Sequence, residues 1–378
     1  MIYLDYNAST PIDERVLDVM IDVYRNDYGN ADSRTHEFGV NARKIVEESR
    51  QSVAELLSVN KDEVFFTSGA TESDNIAVLG LREYAESHNK KHIITTAIEH
   101  KAILEPMNIL ARYGFEITYI FPDMSGRINA EDVMNSVRED TLLVSVMHVN
   151  NETGIIQPVK EIGDALASKN VLFHIDAAQS FGKLVEELKC VKYDMLSASA
   201  HKIYGPQGIG TLVLRKKKYK LPPVKSIMYG GSQEHGLRPG TLPTALIAGF
   251  GKACEIAMSE YKVNYQKYGE IRNNLINMLN ESGVKYCING NVENCILNTM
   301  NIAFNGVNSE ALMLSSNQFC CVSNGSACNS SSYKPSHVLE AMGYNIDRIQ
   351  SSIRMSWGTN CSNYEDFHYI IKAALALQ

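Results

Sequence analysis

The sequence predicts an α/β fold, with a mostly parallel sheet in a large domain and a smaller α+β domain after it. Three observations lead there. Short apolar runs alternate with amphipathic helical patterns through the first two thirds of the 378 residues. Several of these runs end in small or polar residues that open the next helix. After Gly240-Thr241-Leu242-Pro243 that rhythm gives way to one long helical stretch and further strand-like segments. Strand–helix–strand repetition buries a parallel sheet on both faces, and a chain of this length divides into more than one domain.

Taken in order, residues 40–57 place Val40, Ile45, Val53, Leu56 and Leu57 at helical spacing. Residues 63–67 form a short strand that ends in Ser68-Gly69-Ala70-Thr71, with a helix expected from Glu72 to about Glu86. Strands follow at 92–97, 141–148, 171–175, 194–198 and 210–214, and helices at 102–113 and 159–169. The long helical stretch covers 245–282, and strands are expected at 282–287 and 299–304. The domain boundary is placed near residue 250, inside that stretch. Residues 13–250 then make the large domain, and 1–12 with 251–378 the small one.

Composition narrows the function classes. Hydrophobic residues are 44% and charged residues 21%, as in ordinary globular proteins. A net charge of -7 supplies no basic field for nucleic acid, so no direct nucleic-acid binding is expected. The basic run Arg215 to Lys220 reads as a solvated turn after a strand, with a docking patch as the alternative. No apolar stretch approaches a membrane span, and the N-terminus has no signal core, so a cytoplasmic protein is expected. Eight cysteines include no Cys-x-x-Cys pair, which suggests neither a metal site nor a disulfide scaffold.

Chemistry concentrates at predicted strand ends. Ser68-Gly69-Ala70-Thr71 joins a strand to a helix, where backbone N–H groups, the helix dipole and the Thr71 hydroxyl suit an anion; a simple cap is the alternative. Asp176 closes an apolar run, and Ser199-Ala200-His201-Lys202 follows one strand and turn later. A buried Asp needs a cationic partner. A protonated pyridine nitrogen serves, with the Lys202 amine linked to the aldehyde of pyridoxal phosphate; a structural Asp–Lys ion pair is the other reading. Gln179 is placed to donate to the cofactor's phenolic oxygen, and Ser199 and His201 to hold its phosphate. His100, at a helix start, is suited to stack on a pyridine ring or to act as acid or base. Asn150-Asn151 supplies amides at another strand end. Cys328 lies in the small, polar segment 322–335, unlike a core cysteine, and as a nucleophile it needs activation by a base or cation. Arg354, on a strand-like run with Ser352 and Ser356, suits a substrate carboxylate or an inter-domain salt bridge.

Together these residues resemble the cysteine desulfurases of the iron–sulfur assembly type, with their aspartate-aminotransferase-like fold (fold type I). The likeness runs from Tyr3-Leu4-Asp5-Tyr6-Asn7 through Thr67 to Ser73, Glu99-His100, Asn150-Asn151-Glu152, His174 to Gln179, Ser199 to Pro206 and Arg238-Pro239-Gly240-Thr241 to Gly325-Ser326-Ala327-Cys328. The resemblance implies that Lys202 carries pyridoxal phosphate, that Asp176 and Gln179 partner its ring, and that His100 stacks on it. It implies phosphate ligands in Thr71, Ser199, His201 and the Ala70 backbone. Thr241 is implied to reach the phosphate across a homodimer interface. Asn151 and Arg354 are implied to clamp the L-cysteine carboxylate, and Cys328 to accept sulfur for delivery to an acceptor protein of unknown identity. Its loop resembles the longer type.

Asp74 departs from the resemblance, standing where Asn is frequent. The chain ends soon after Leu377, without the extension by which some relatives dock an iron–sulfur scaffold. The implied destinations for sulfur are iron–sulfur assembly, tRNA thiolation or DNA phosphorothioation. A selenocysteine lyase or another β-eliminating lyase is the second reading, and a non-catalytic scaffold the third.

Overall fold

The computed structural model describes residues 1–324, 335–359, 361 and 367–378. Its strands are β1 (Ile2–Tyr3), β2 (Val64–Thr67), β3 (His92–Thr96), β4 (Glu116–Ile120), β5 (Thr141–Met147) and β6 (Leu172–Asp176). Then come β7 (Met195–Ser199), β8 (Gly210–Leu214), β9 (Tyr286–Ile288), β10 (Thr299–Phe304), β11 (Cys320–Cys321) and β12 (Ser352–Ser356). Seven strands form the main sheet in the order β2-β8-β7-β6-β5-β3-β4, and β8 alone runs against the rest. Strands β5, β7 and β8 are buried at every residue. They therefore read as runs of apolar and small or hydroxyl residues without charge, the pattern of a sheet with helices on both faces.

Two departures from the sequence reading have local causes. The helix expected over 72–86 is two helices, Ala70–Leu79 and Arg82–His88. A Cβ at Gly80 would lie 2.4 Å from the Ile76 carbonyl oxygen and 2.5 Å from that of Lys225. The Lys225 backbone crosses there and donates to the Gly80 carbonyl at 2.9 Å, so the first helix stops. Strand β4 was not expected at all. It is an edge strand, half exposed and without a clean alternation of burial.

Two large buried clusters flank one helix, Thr244–Ser282, of 39 residues. Its first half sends Ile247, Phe250 and Ala253 into the cluster around the main sheet. Its second half sends Tyr268, Ile271 and Leu275 into a cluster with Phe304, Trp357 and Phe367. The helix ends at Gly283, whose φ of 77° is a left-handed C-terminal stop. The second cluster also holds Ile2, Leu4 and Tyr6. It is built on the antiparallel sheet β12-β10-β9 and on β1 paired with β11. Among the described residues, no helix is long and apolar enough to cross a membrane.

Candidate active site

Strand register creates the site. Thr67 pairs with Gly210, Gly210 with Ser199, Ser197 with Asp176, and Asp176 with Met147. The C-terminal ends of β2, β7, β6 and β5 thus lie in one row, the position where open α/β sheets collect ligands. Above the row is a cavity of about 630 Å³. Ala70, Thr71, His100, Asn151, Asp176, Gln179, Ser199, His201, Lys202 and Arg354 all line it. Thr241 does not: it is exposed elsewhere on the surface of its own chain. Cys328 lies outside the described residues. The flanks of its segment meet the cavity wall, because Ser323 pairs with Arg354 and His337 hydrogen-bonds the Glu99 carbonyl at 3.0 Å.

One end of the cavity suits a phosphate. The helix Ala70–Leu79 has no side-chain cap on its first N–H groups, so they remain for an anion. Gly69 enters it at φ 153°, a conformation reserved for glycine. Across the sheet, a Cβ on Gly210 would lie 2.6 Å from the Gly69 Cα. These two glycines keep the cup shallow, with Ser199 at its side. His201 Nδ1 lies 3.3 Å from Ser9 Oγ. Burial, then the charges of Lys202 and Lys183, push its pKa down to about 4, so the ring is neutral.

The other end is carboxylate-rich. Asp176 Oδ1 accepts from the Ala178 N–H at 2.9 Å. Burial nonetheless raises its pKa, opposed by that bond and by the charges of His100 and Lys202. Behind it His174 is held between Ser145 Oγ and Ser197 Oγ, each at 2.9 Å, and burial pushes its pKa down to about 3. Asp74 Oδ1 lies 3.6 Å from His174 Nε2. Asp74 is wholly buried, and burial followed by the Asp176 charge raises its pKa well above the usual range, opposed by the Ser197 hydroxyl. Asp74 is the acid pushed harder toward its neutral form, while the Ala178 N–H and the charges of His100 and Lys202 favour the ionised form of Asp176, which lines the cavity as the carboxylate for a cation.

Glu99 is a third buried acid. Its Oε1 accepts from Thr96 Oγ1 at 2.7 Å and the Met147 N–H at 2.9 Å, and Oε2 has no partner among the described residues. Burial pushes it up to about 8 from an ordinary 4.5. Folded protein then keeps a proton that the unfolded chain releases across that window, so stability falls as pH rises through it. Glu99→Gln, which keeps the acceptor at Oε1, is expected to melt progressively higher than wild type between about pH 5 and 9. Thermal unfolding at several pH values checks this, and parallel curves for the two proteins would contradict it.

His100 caps the helix Lys101–Arg112: its Nδ1 accepts from the Ala102 N–H at 3.1 Å. Burial, with the charges of Lys202, His337 and Lys101, lowers its pKa. The ring is thus neutral with its hydrogen on Nε2, and it can offer a hydrogen bond without breaking the cap. Lys202 Nζ donates to the Asn7 carbonyl and, at 2.7 Å, to the Ala8 carbonyl. Gln179 Nε2 donates to the same Asn7 carbonyl at 3.0 Å, leaving Oε1 buried without a partner among the described residues. Arg354 donates from one terminal nitrogen to Asp5 Oδ1 at 2.6 Å and from the other to the Asn151 carbonyl at 2.9 Å. Its Nε is buried with no partner among the described residues.

Sequence reasoning missed Asp5 and Asn7 as site residues, although both lie in a recognised motif. Their contacts join residues nearly two hundred or more positions apart, so no local pattern announces them. The roles of Asn150 and Asn151 also separate. Asn150 Oδ1 accepts from the N–H groups of Glu152 and Thr153, each at 2.9 Å, and so builds the turn that presents Asn151.

The donor set fits pyridoxal phosphate: an uncapped helix start with small residues for the phosphate, a buried carboxylate for the ring nitrogen and an amine for the aldehyde. The buried, partnerless Gln179 Oε1 and Arg354 Nε mark polar atoms that a ligand would satisfy.

Comparison with known proteins agrees. The aminotransferase class-V family model matches residues 2–366. Cysteine desulfurase IscS of Vibrio vulnificus (strain YJ016) is 42% identical over 374 residues, covering 98% of this chain and 91% of that one. The solved structure of a NifS-like protein superposes with a TM-score of 0.91 at 36% identity, covering 100% of this chain and 99% of the other. A structure described as SspA in complex with cysteine has a TM-score of 0.83 at 35% identity, covering 95% and 99%.

Proposed function

The chain belongs to the aminotransferase class-V family, among its cysteine desulfurases, and from that premise we propose that it converts L-cysteine to L-alanine and passes the sulfur through Cys328 to an acceptor protein. The observation that carries this reading is the meeting of Lys202, Asp176, His100 and Arg354 in one cavity with an uncapped helix start. Bound pyridoxal phosphate supplies the electron sink for the pair left when an amino acid loses its Cα proton.

The residues divide the remaining work. Thr71, Ser199, His201 and the Ala70 backbone hold the phosphate. Asp176 holds the proton on the ring nitrogen, and Gln179 and His100 fix the ring's position. Lys202 carries the cofactor, and once released it takes the proton from the substrate Cα. Arg354 and Asn151 hold the substrate carboxylate, for which Arg354 must exchange its bond to Asp5. The Cys328 thiolate attacks the substrate sulfur: a sulfur–sulfur bond forms, the substrate C–S bond breaks, and Cβ gains a proton to give alanine. Cys328 follows Ser323 by five positions in the sequence, a span of at most about 17 Å, which supports access to a substrate held by Arg354.

The two buried clusters support a division close to residues 13–250 and 1–12 with 251–378, with Ala253, Cys254 and Ala257 still packed in the cluster around the main sheet. The exposure of Thr241, away from its own cavity, supports a homodimer in which it serves the partner's phosphate site.

The direct test supplies purified protein with pyridoxal phosphate and L-cysteine. Alanine should form, with a borohydride-fixed cofactor adduct on Lys202. Absence of both would refute the reading. Arg354→Lys removes the planar fork, a charge-assisted interaction of about 1.5–3 kcal/mol. It is expected to lower kcat/KM for L-cysteine roughly 10- to 100-fold, chiefly through KM. An unchanged KM would place the substrate carboxylate elsewhere.

A further inference from the structure

Arg238 stands three residues before Thr241, yet its side chain turns back onto its own chain. Its Nε donates to Glu72 Oε1 at 2.8 Å, and a terminal nitrogen donates to Glu72 Oε2 at 3.4 Å. Glu72 lies in the first turn of the helix Ala70–Leu79. Its Oε2 also accepts from the Ser68 N–H at 2.6 Å. Ser68 lines the cofactor cavity beside Gly69, Ala70 and Thr71. One carboxylate therefore joins the rim of the phosphate cup to the segment that carries Thr241.

That segment is held where it crosses the edge of the main sheet, at the outermost strand β2. The free edge of β2 is bonded by an ion pair rather than by another strand. The Phe66 N–H donates to Glu234 Oε2 at 2.7 Å, and Arg50 donates to the Val64 carbonyl at 2.7 Å. Arg50 and Glu234 meet as a buried fork, at 2.7 and 2.8 Å. Glu234 and His235 both take left-handed backbone, with φ of 46° and 56°, a conformation such residues keep only where their contacts impose it. The Gly240 N–H donates to Gln233 Oε1 at 2.9 Å and closes the turn around Arg238. The guanidinium is thereby fixed against Glu72, with 19% and 13% of the two side chains exposed.

The electrostatics of the cup give a cation work to do there. An acid in the first turn of a helix is favourable while the N–H groups face water. Once a phosphate takes those N–H groups, acid and phosphate are like charges at one helix end, and each disfavours the other. Burial opposes the Glu72 charge, but the bonds from Arg238 and Ser68 outweigh it and hold the carboxyl below its usual range, so the acid stays ionised. Glu72 thus helps by holding Ser68 and hinders by facing an incoming anion. We propose that Arg238 is a positioning residue for the cofactor phosphate: it cancels the Glu72 charge, so that this carboxylate can hold the Ser68 N–H at the rim of the cup without repelling the anion. The inference rests on the reading of this cup as the phosphate site of pyridoxal phosphate.

The test measures the affinity of cofactor-stripped, full-length protein for pyridoxal phosphate, for pyridoxal and, by competition, for inorganic phosphate. Arg238→Met should weaken pyridoxal phosphate and inorganic phosphate roughly tenfold at low salt, with a smaller loss at high salt, and leave pyridoxal unchanged. Glu72→Gln, which keeps an acceptor for Ser68, should bind pyridoxal phosphate and inorganic phosphate at least as tightly as wild type. The double variant should recover most of the affinity lost in Arg238→Met. If Arg238 only holds the segment or presents Thr241, the double variant recovers nothing, because that tether stays cut; this result would overturn the proposal. An equal loss for pyridoxal would overturn it too, as would weaker phosphate binding by Glu72→Gln, an outcome that can be read even where Arg238→Met fails to fold. Wild type in which inorganic phosphate does not compete with pyridoxal phosphate would instead refute the phosphate cup itself.

Discussion

Cys328→Ser is expected to retain the cofactor and its visible absorption while alanine release from L-cysteine falls roughly 10³-fold or more, the scale of losing a nucleophile. The proposed step needs a polarisable thiolate at the substrate sulfur, and a serine hydroxyl neither ionises near neutrality nor forms a persulfide. Cofactor capture depends on Lys202, Asp176 and the phosphate cup, none of which is substituted here. Absorbance and amino-acid analysis on the same sample separate the two outcomes. Normal alanine release would eliminate Cys328 as the acceptor and favour an eliminating lyase. Loss of the cofactor as well would show that the segment contributes to binding, contrary to the roles assigned here.

Asp176→Asn is the second large effect. Three buried acids, Asp74, Glu99 and Asp176, surround the floor of the site, and burial raises all three. Of these, Asp176 alone lies at a strand end on the cavity floor with a backbone N–H supporting its ionised form. The amide keeps the shape and removes the charge. A charge-assisted hydrogen bond is worth about 1.5–3 kcal/mol net, so cofactor affinity should fall roughly 10- to 150-fold. Alanine formation at saturating cofactor should fall by at least as much, because an unprotonated ring nitrogen is a poor electron sink. Titration of cofactor-stripped protein gives the first number and turnover the second. Wild-type values for both would mean that another group neutralises the ring nitrogen, with Asp74 the next candidate.

Much of the frame is legible in the chain because the sheet is buried on both faces. Strands such as β5 and β8 are buried at every position and so carry mostly apolar residues with a few small or hydroxyl ones, and a run of that kind is visible without a structure. The strand-end placements of Asp176, Thr71 and Lys202 follow from the same pattern. What escapes is whatever depends on distant partners. Glu99 reads as an acid just ahead of a helix, a place that is normally solvated, yet it is wholly buried behind the site. Lys183 follows a glycine turn and carries no local sign of burial, yet it is buried where Ile203 and the long helix pack against that turn. The break at Gly80 arises from backbone that returns from Lys225. The bond from Arg354 to Asp5 spans 349 positions.

The pairing of β1 with β11 sets a timetable for the nascent chain. Ile2 meets Cys320, and Tyr3 meets Cys321. On the ribosome the opening residues therefore wait for a partner made more than three hundred codons later, roughly 15–60 s at common rates of synthesis. Asn7 and Ala8, whose carbonyls receive Lys202, lie on that same opening segment. The main sheet can be complete while the pocket still lacks one wall, so vitamin capture belongs to the end of translation rather than its middle.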